Sequence, residues 1–442
     1  MIPWTGLADL LFMQRPDGAW RGDCQGGPQL TAVSLMVEAS LGDLGAADRA
    51  DSLSWLRCQQ LDEGGFPWAP GRSQGDVTAT TCVVQGMLAV GVDPGDESIR
   101  RAEGYLRTRG GPAAHDPLLQ GLLVALGLDL GDQTVRATPP LASLGGEGWP
   151  GAFWKIAVPA LFAAASGGLP RRKARAVERY LSERQNPEGS WGGELLTTLA
   201  GALALHSVGV DKTDPRISKA IDHLAHWKRQ TPDGLELLAR TSEVRNTADA
   251  VRLLCDSGMG DPPDDRLLRA LDWLLDQQAD QPPPADWILG GGRIGGWAVG
   301  PHNFMRPDCA TTGAVLAAIG AFSEATLSPK RVRRAMRRGA AWLLEMQHDD
   351  GGWSPFGAGA SDPETTAQAA AGLGRCGYRA GDPPVDQAVR QLRRSRISPA
   401  GAEALFSVGL EPPQADRTAT PPPPKDIRDR TADRIRRLLD YV

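Results

Sequence analysis

The chain has 442 residues and a formal net charge of −5, and 41% of its residues are hydrophobic while 23% are charged. This length is enough for two domains with cores of their own. Nothing in the overall charge balance points to nucleic-acid binding, so we expect a globular protein without a nucleic-acid partner.

The cysteines and the apolar segments give no sign of export or of membrane insertion. None of the six cysteines forms a CxxC pair or a Cys/His cluster with zinc spacing, and the start of the chain lacks a basic segment. The most apolar stretch, residues 156–166, contains Pro159 and is too short to span a bilayer. We therefore expect reduced thiols, a cytoplasmic protein and a buried helix at this stretch.

A short pattern recurs along the chain: Gln, three residues, Gly, one residue, aromatic. The residues before each Gly favour a tight turn that ends a helix, and a run of small apolar residues follows each copy. The pattern predicts a helix, a sharp turn and a second helix, with the Gln side chain bound to the turn. The four copies run from Gln14 to Trp20, Gln60 to Phe66, Gln185 to Trp191 and Gln347 to Trp353.

The last segment has a different character. Residues 412–426 (PPQADRTATPPPPKD) predict a stiff, extended linker. The apolar residues after it have helical spacing and predict an amphipathic helix, either docked on the protein or lying on a membrane surface. These residues are Ile427, Ile435, Leu438, Leu439 and Val442.

The repeat resembles the QW repeat of squalene–hopene cyclases and of the wider class II terpene cyclase family. The likeness extends to ordered blocks at residues 59–92, 100–111, 271–278 with 286–319, and 340–378, and covers most of residues 5 to 380. The chain is shorter than a triterpene cyclase, and in this it resembles the bacterial class II cyclases that act on prenyl diphosphates.

The resemblance implies an all-α fold of two α/α-barrel domains, one inserted into the other. Transferred to this chain, residues 1–21 and 239–442 would form the catalytic barrel and residues 22–238 the inserted barrel. The substrate cavity would lie between the two barrels. The family acts on small molecules, and we expect a monomer or a homodimer.

The family starts its reaction by protonating an alkene, which is a very weak base. Its members carry an Asp cluster, D-x-D-D or D-x-D-T-T, whose middle Asp donates the proton. Clustered carboxylates in a low dielectric cannot all ionise, so one stays protonated. In this chain the motif begins at Asp308 and ends in Thr311 and Thr312, but Ala310 stands at the donor position. Ala310 has no proton to donate.

Three interpretations of Ala310 stay open. The chain is an engineered knock-out of an active enzyme, or another carboxylate donates the proton, or the protein is a natural non-catalytic relative or does different chemistry. Taken alone, Asp308 is an N-cap of the run that follows it. Within the matching block, the resemblance makes it a member of the acid cluster.

Four further residues have catalytic and structural interpretations side by side. By resemblance, Glu364 stands where the family has a second acidic residue near the donor. Gln368 stands one turn further on, where triterpene cyclases have a His that supports the acid. His302 and Asn303, just before the motif, would accept the final proton or fix the loop.

Aromatic faces stabilise a carbocation without trapping it. By the same resemblance, these residues line the cavity, although each taken alone is typical of an ordinary core. The predicted lining comprises Phe153, Trp154, Trp297, Val299, Phe304 and Phe356.

Arg245 stands where triterpene cyclases carry a cavity aromatic. A cation there is harmful to a carbocation but useful for an anion, so we predict a diphosphate head group bound by Arg245 with Lys155, Arg240 and Arg293. A surface or salt-bridged arginine is the alternative. Mg²⁺ would accompany the diphosphate, with Glu147 as a candidate ligand.

The resemblance therefore implies a class II cyclase that protonates the terminal alkene of farnesyl diphosphate, closes two rings and keeps the diphosphate. Geranylgeranyl diphosphate as the substrate, or a non-catalytic isoprenoid-binding protein, are the alternatives. The sequence has no DDxxD helix, so class I ionisation is not expected.

Overall fold

The computed structural model describes residues 7, 10–42, 44–113, 117–126, 157, 160–161, 169–260, 263–280, 294–301, 307–322, 329–357, 360–393, 401–402 and 405. The chain forms two compact units. The first is drawn from Met1–Asp23 and Ser242–Val442, and the second from the chain between them. The sequence interpretation set the corresponding boundaries at residues 21/22 and 238/239.

The fold is all-α, as expected, with short two-stranded hairpins in the loops. In the second unit, helices buried nearly all round alternate with helices that bury one stripe. Its helices are α1 (Pro28–Leu41), α2 (Ala46–Cys58), α3 (Val77–Ala89), α4 (Glu97–Thr108), α5 (Pro117–Ala125), α6 (Arg171–Arg184), α7 (Leu195–Ser207) and α8 (Pro215–His223), with a 3-10 turn at Leu224–Trp227. The inner helix α1 packs on α3 and α7.

Six short strands lie in this part of the chain. They are β1 (Asp23–Cys24), β2 (Phe66–Pro67), β3 (Gly75–Asp76), β4 (Lys228–Thr231), β5 (Gly234–Leu237) and β6 (Arg240–Thr241). Strands β2 and β3 pair antiparallel, as do β4 and β5, where Thr231 lies opposite Gly234.

The first unit repeats the alternation of inner and outer helices. Its helices are α9 (Glu243–Leu254), α10 (Asp265–Asp276), α11 (Cys309–Ile319), α12 (Pro329–Glu345), α13 (Pro363–Arg375) and α14 (Pro383–Leu392), and a π-helical turn at Cys255–Met259 follows α9. The inner helix α11 packs on both α9 and α13. The core includes the fully buried Trp20, Trp297 and Trp353.

Aspartate starts many of these helices. Its carboxylate accepts a hydrogen bond from a backbone N–H of the first turn, which would otherwise be unsatisfied. Capping residues whose side chains accept such a bond are Asp76, Asp96, Asp214, Asp264, Asp308 and Asp362. Among the inner helices, this cap fixes where the first turns of α3, α11 and α13 begin.

The predicted helix–turn–helix repeat is present, with the Gln side chain bound to the turn. The amide of Gln60 donates to the carbonyl of Gly64 at 2.9 Å and to that of Ser98, on the next outer helix, at 2.8 Å. The glutamines of the other copies make the same pair of bonds. Each turn is therefore joined to an outer helix of the same unit.

The structure adds a fifth copy that the spacing did not reveal. Gln278 donates to the carbonyls of Gly295 and Ala335, both at 2.8 Å, and the copy ends at Trp297. Gly295 has φ +132°, and a Cβ atom there would lie 2.7 Å from the carbonyl oxygen of Arg338. Only glycine fits this left-handed turn against a neighbouring backbone.

Three statements from the sequence concern segments with few described residues. Residues 157, 160 and 161, within the stretch predicted to be a buried helix, are helical and buried. The predicted linker at 412–426 and the helix after it lie outside the described residues. Within the part of the chain that is described, no helix combines the length and the apolar character of a membrane span.

Candidate active site

The first turns of α11 and α13 are built alike. The carboxylate of Asp308 accepts a hydrogen bond from the N–H of Thr311 at 2.7 Å, and that of Asp362 accepts one from the N–H of Thr365 at 2.7 Å. Asp308 is buried. The N-cap interpretation of Asp308 is therefore confirmed, and its membership of an acid cluster stays a prediction.

A buried threonine on each inner helix of the first unit holds a repeat tryptophan. The N–H of Trp297 donates to Oγ1 of Thr312 at 2.9 Å, and the N–H of Trp353 donates to Oγ1 of Thr366 at 3.0 Å. Thr247 on α9 does the same for Trp20 at 2.9 Å. These three threonines thus mark equivalent positions on α9, α11 and α13.

The residue two positions before each of these threonines stands at the same place in its helix. This residue is Arg245 on α9, Ala310 on α11 and Glu364 on α13. All three residues are only partly buried, whereas the threonines beside them are buried. The first turns of α9, α11 and α13 therefore carry a guanidinium, a methyl group and a carboxyl group at the same position.

Backbone hydrogen bonds tie these helix starts together. The segment after Trp297 accepts from α9, because the N–H of Arg245 donates to the carbonyl of Val299 at 3.4 Å. The segment after Trp353 accepts from α11 in the same manner, because the N–H of Cys309 donates to the carbonyl of Pro355 at 2.9 Å. The N–H of Asp308 in turn donates to the carbonyl of Trp297 at 3.0 Å.

Helices α11 and α13 cross in direct backbone contact. A Cβ atom on Gly313 would lie 2.3 Å from the carbonyl oxygen of Gln368, and one on Gly372 would lie 2.7 Å from Cα of Gly313. This contact brings the first turn that carries Ala310 next to the first turn that carries Glu364. Gln368 itself is buried at this crossing.

Arg245 forms an ion pair on its own helix. Its Nε donates to Oδ2 of Asp249 at 2.8 Å, and 26% of its side chain stays exposed. Burial alone lowers the pKa of Arg245, but the negative charge of Asp249, followed by Asp308 and Glu364, raises it above its ordinary value. The salt-bridged alternative therefore describes its side chain, and the backbone bond of Arg245 to Val299 ties it to the segment that also binds Asp308.

One predicted lining residue occupies a core position. Trp297 has no exposed surface, and its indole N–H donates to the carbonyl of Leu274 at 2.7 Å. It fills the core position of the fifth repeat copy, and its lining role stays a prediction. Val299 and Phe356 are half-buried in the segments that join the helix starts, so a lining role for them stays a prediction.

Cys309, between Asp308 and Ala310, is fully buried. Burial raises the pKa of its thiol well above the ordinary value, and the negative charge of Asp308 adds to this. The thiol is therefore not a candidate nucleophile or acid.

Several predicted residues lie outside the described part of the chain. They are Glu147, Phe153, Trp154, Lys155, Arg293, His302, Asn303 and Phe304. Arg240 belongs to the second unit, where it pairs with Glu194 at 3.5 Å. Within the described ranges, no group of three His, Cys, Asp or Glu side chains is arranged to hold a metal ion. Mg²⁺ with Glu147 therefore stays a prediction.

Asp249 is the site residue that the sequence reasoning missed. It follows Arg245 by four residues, the spacing at which opposite charges meet on a helix. That spacing was the available signal. The register shared by Arg245, Ala310 and Glu364 had a signal too, because each stands two residues before a threonine.

An all-α fold of alternating inner and outer helices, with an aspartate-capped D-x-A-T-T turn on an inner helix, defines a class II cyclase scaffold. Two family models match the chain: squalene-hopene cyclase N-terminal domain at residues 7–129 and squalene-hopene cyclase C-terminal domain at residues 241–395. Together they cover well over half of it. The chain belongs to the class II terpene cyclase family.

Individual relatives match a smaller part. Squalene–hopene cyclase from Alicyclobacillus acidocaldarius is 32% identical over 194 residues, which cover 42% of this chain and 30% of the relative. Sporulenol synthase from Bacillus subtilis is 32% identical over 206 residues, which cover 46% of this chain and 30% of the relative. The matched region thus spans less than a third of these relatives.

A solved structure supports the fold. Abietadiene synthase from Abies grandis superposes with a TM-score of 0.53 at 12% identity, over 92% of this chain and 52% of that protein.

Proposed function

We propose that this chain is the scaffold of a class II cyclase for farnesyl diphosphate, from which the proton donor at position 310 is missing. With an acid there, its proton would form a C–H bond at the terminal alkene. Two C–C bonds would then close the rings, and a proton would leave the last cation. The product would be drimenyl diphosphate, with the diphosphate retained and no net change in protons.

The observation that carries this proposal is the position of Ala310. It stands partly exposed on a capped first turn, at the register that its neighbours fill with Arg245 and Glu364. A carboxylic acid there would have other carboxylates nearby, a setting that keeps one acid protonated at neutral pH. The family membership supports alkene protonation as its use, and the resemblance to shorter bacterial cyclases supports the prenyl diphosphate.

Glu364 is the alternative donor in the chain as it stands. In the family the middle Asp of the motif donates the proton, and that position in this chain is Ala310 and not Glu364. Asp308 is already engaged as a cap. We therefore prefer the missing-acid interpretation. Mg²⁺ enters no step of this proposal, because its predicted ligand Glu147 lies outside the described residues.

The test is to install the acid. Ala310→Asp is expected to convert farnesyl diphosphate into a bicyclic diphosphate, detected by mass spectrometry after phosphatase treatment. Ala310→Asn, of nearly the same size but unable to protonate an alkene, is the matched control and should stay inactive. Product from geranylgeranyl diphosphate alone would replace the sesquiterpene assignment by the diterpene alternative.

Two further outcomes would overturn the proposal. If Ala310→Asp makes no product from either substrate while the chain binds farnesyl diphosphate, the non-catalytic isoprenoid-binding alternative holds. If the chain already turns over and Glu364→Gln abolishes the activity, Glu364 is the donor.

A further inference from the structure

Arg245 is fixed at the same end of the site as the missing acid. Its backbone N–H is held by Val299, and the same segment holds Asp308 through the carbonyl of Trp297. Arg245 also occupies on α9 the register that Ala310 occupies on α11. The two residues therefore stand on neighbouring first turns.

The diphosphate belongs at the other end of the substrate. In a linear prenyl diphosphate the reacting terminal alkene and the head group are the two ends of the chain. When the chain folds for cyclisation, the two forming rings still separate them. A side chain beside the proton donor is thus badly placed to hold the diphosphate.

The charge around Arg245 leads to the same conclusion. The charged groups that act on it are Asp249 on its own helix, Asp308 at the start of α11 and Glu364 on α13. Of these, Asp249 accepts a hydrogen bond from Nε of Arg245 at 2.8 Å. A diphosphate bound to Arg245 would have to compete with these carboxylates for the guanidinium and would be repelled by their charge.

We infer that Arg245 is a positioning residue for the acid end of the site, where it stabilises the carboxylate that an acid at position 310 becomes after giving up its proton. This role rests on the proposed function. It replaces the prediction that Arg245 binds the diphosphate. A fixed cation next to charge that develops during the reaction is a common source of rate enhancement.

The test separates the two roles by measuring binding and turnover apart. The affinity for farnesyl diphosphate is measured by calorimetry on three proteins that keep Ala310: the parent chain, Arg245→Gln and Arg245→Lys. The steady-state constants are measured for the same substitutions together with Ala310→Asp. Arg331→Gln is the matched control, because Arg331 pairs with Asp272 on α10, away from these first turns.

We expect Arg245→Gln to leave Kd and KM within about twofold and to lower kcat at least tenfold. Loss of the cation raises the pKa of the acid at 310, so the basic limb of the pH–rate profile should move to higher pH. Arg245→Lys keeps the charge and should recover most of kcat, and Arg331→Gln should change neither constant.

A tenfold or larger rise in Kd or KM for Arg245→Gln would place the side chain at the diphosphate and overturn the inference. An unchanged kcat would overturn it as well. If Ala310→Asp makes no product, the proposed function fails, while the calorimetric Kd still decides whether Arg245 holds the head group. Thermal unfolding of each variant, with Arg245→Lys as the milder change, excludes misfolding as the cause.

Discussion

The crossing of α11 and α13 depends on one hydrogen atom, the side chain of Gly313. A Cβ atom in Gly313→Ala would lie 2.3 Å from the carbonyl oxygen of Gln368 and 2.8 Å from the backbone N of Ala369. Even close C···O contacts between packed elements are about 3.3–3.6 Å. The obstructing atoms belong to the backbone, so the helices must separate by about 1 Å.

The net effect follows from two opposing terms. Alanine gains about 1 kcal/mol over glycine in a helix interior. Overpacking a well-packed core costs about 1–3 kcal/mol and occasionally more, and we expect the upper end of this range because backbone atoms cannot turn aside. Gly313→Ala should therefore lose about 2 kcal/mol, which corresponds to a fall in Tm of roughly 4–8 °C for a unit of about 200 residues.

Circular dichroism during heating measures this change, and Gly104→Ala is the matched control. Gly104 is also helical, on α4, but a Cβ there meets only the end of the Arg107 side chain, at 3.9 Å. Gly104→Ala should therefore raise the free energy of unfolding by about 0.4–1 kcal/mol. A Gly313→Ala protein that melts at or above the parent would refute the reasoning. In the Ala310→Asp background, Gly313→Ala should also reduce kcat by about 100-fold, because a shift of about 1 Å misplaces the acid.

Three further predictions use other described contacts. Thr312→Val removes the acceptor for the buried N–H of Trp297 and should cost about 1–3 kcal/mol, whereas Thr312→Ser should cost less, as urea unfolding would show. A hydrogen bond from Arg216 lowers the pKa of Asp214 to about 2. The carboxylate therefore contributes its full stability above about pH 4, near its ordinary pKa, and this contribution is lost as the pH falls towards about 2. Asp214→Asn should flatten that part of the stability–pH curve. Burial raises the pKa of Cys376 to about 12, so at pH 8 a maleimide should label it far more slowly in the folded chain than in urea.

The repeat shows what spacing alone can predict. Four copies with constant spacing predicted the turns and the bonds of their Gln side chains. The fifth copy was missed because residues 279–294 separate its Gln278 from its Gly295. This omission also explains why Trp297 was not identified from the sequence as a repeat tryptophan. Its ending, Gly-x-Trp, was visible in the sequence, but the distant Gln becomes recognisable only once the chain is folded.

The Asp308 cap and the Arg245 ion pair show a second limit. Both were open alternatives, because a residue type does not reveal which of its partners lies close. For Asp308 the cap was decided by the helix start that follows it. For Arg245 the ion pair was decided by Asp249 one turn away on the same helix. The position of its backbone was decided by Val299, which is remote in sequence.

The second unit separates the scaffold from the chemistry. Its inner helices carry the same threonines, which accept the N–H of Phe66 at 2.9 Å and of Trp191 at 3.1 Å. Two residues before the corresponding threonines stand uncharged residues: Gln29 on α1, Thr78 on α3 and Leu196 on α7. The repeat therefore forms with different residue types at the position two residues before the threonine. Among these six described helices, only those of the first unit place charge at this position, with Arg245 on α9 and Glu364 on α13. We therefore expect an acid at this helix position to gain a function in the first unit and not in the second.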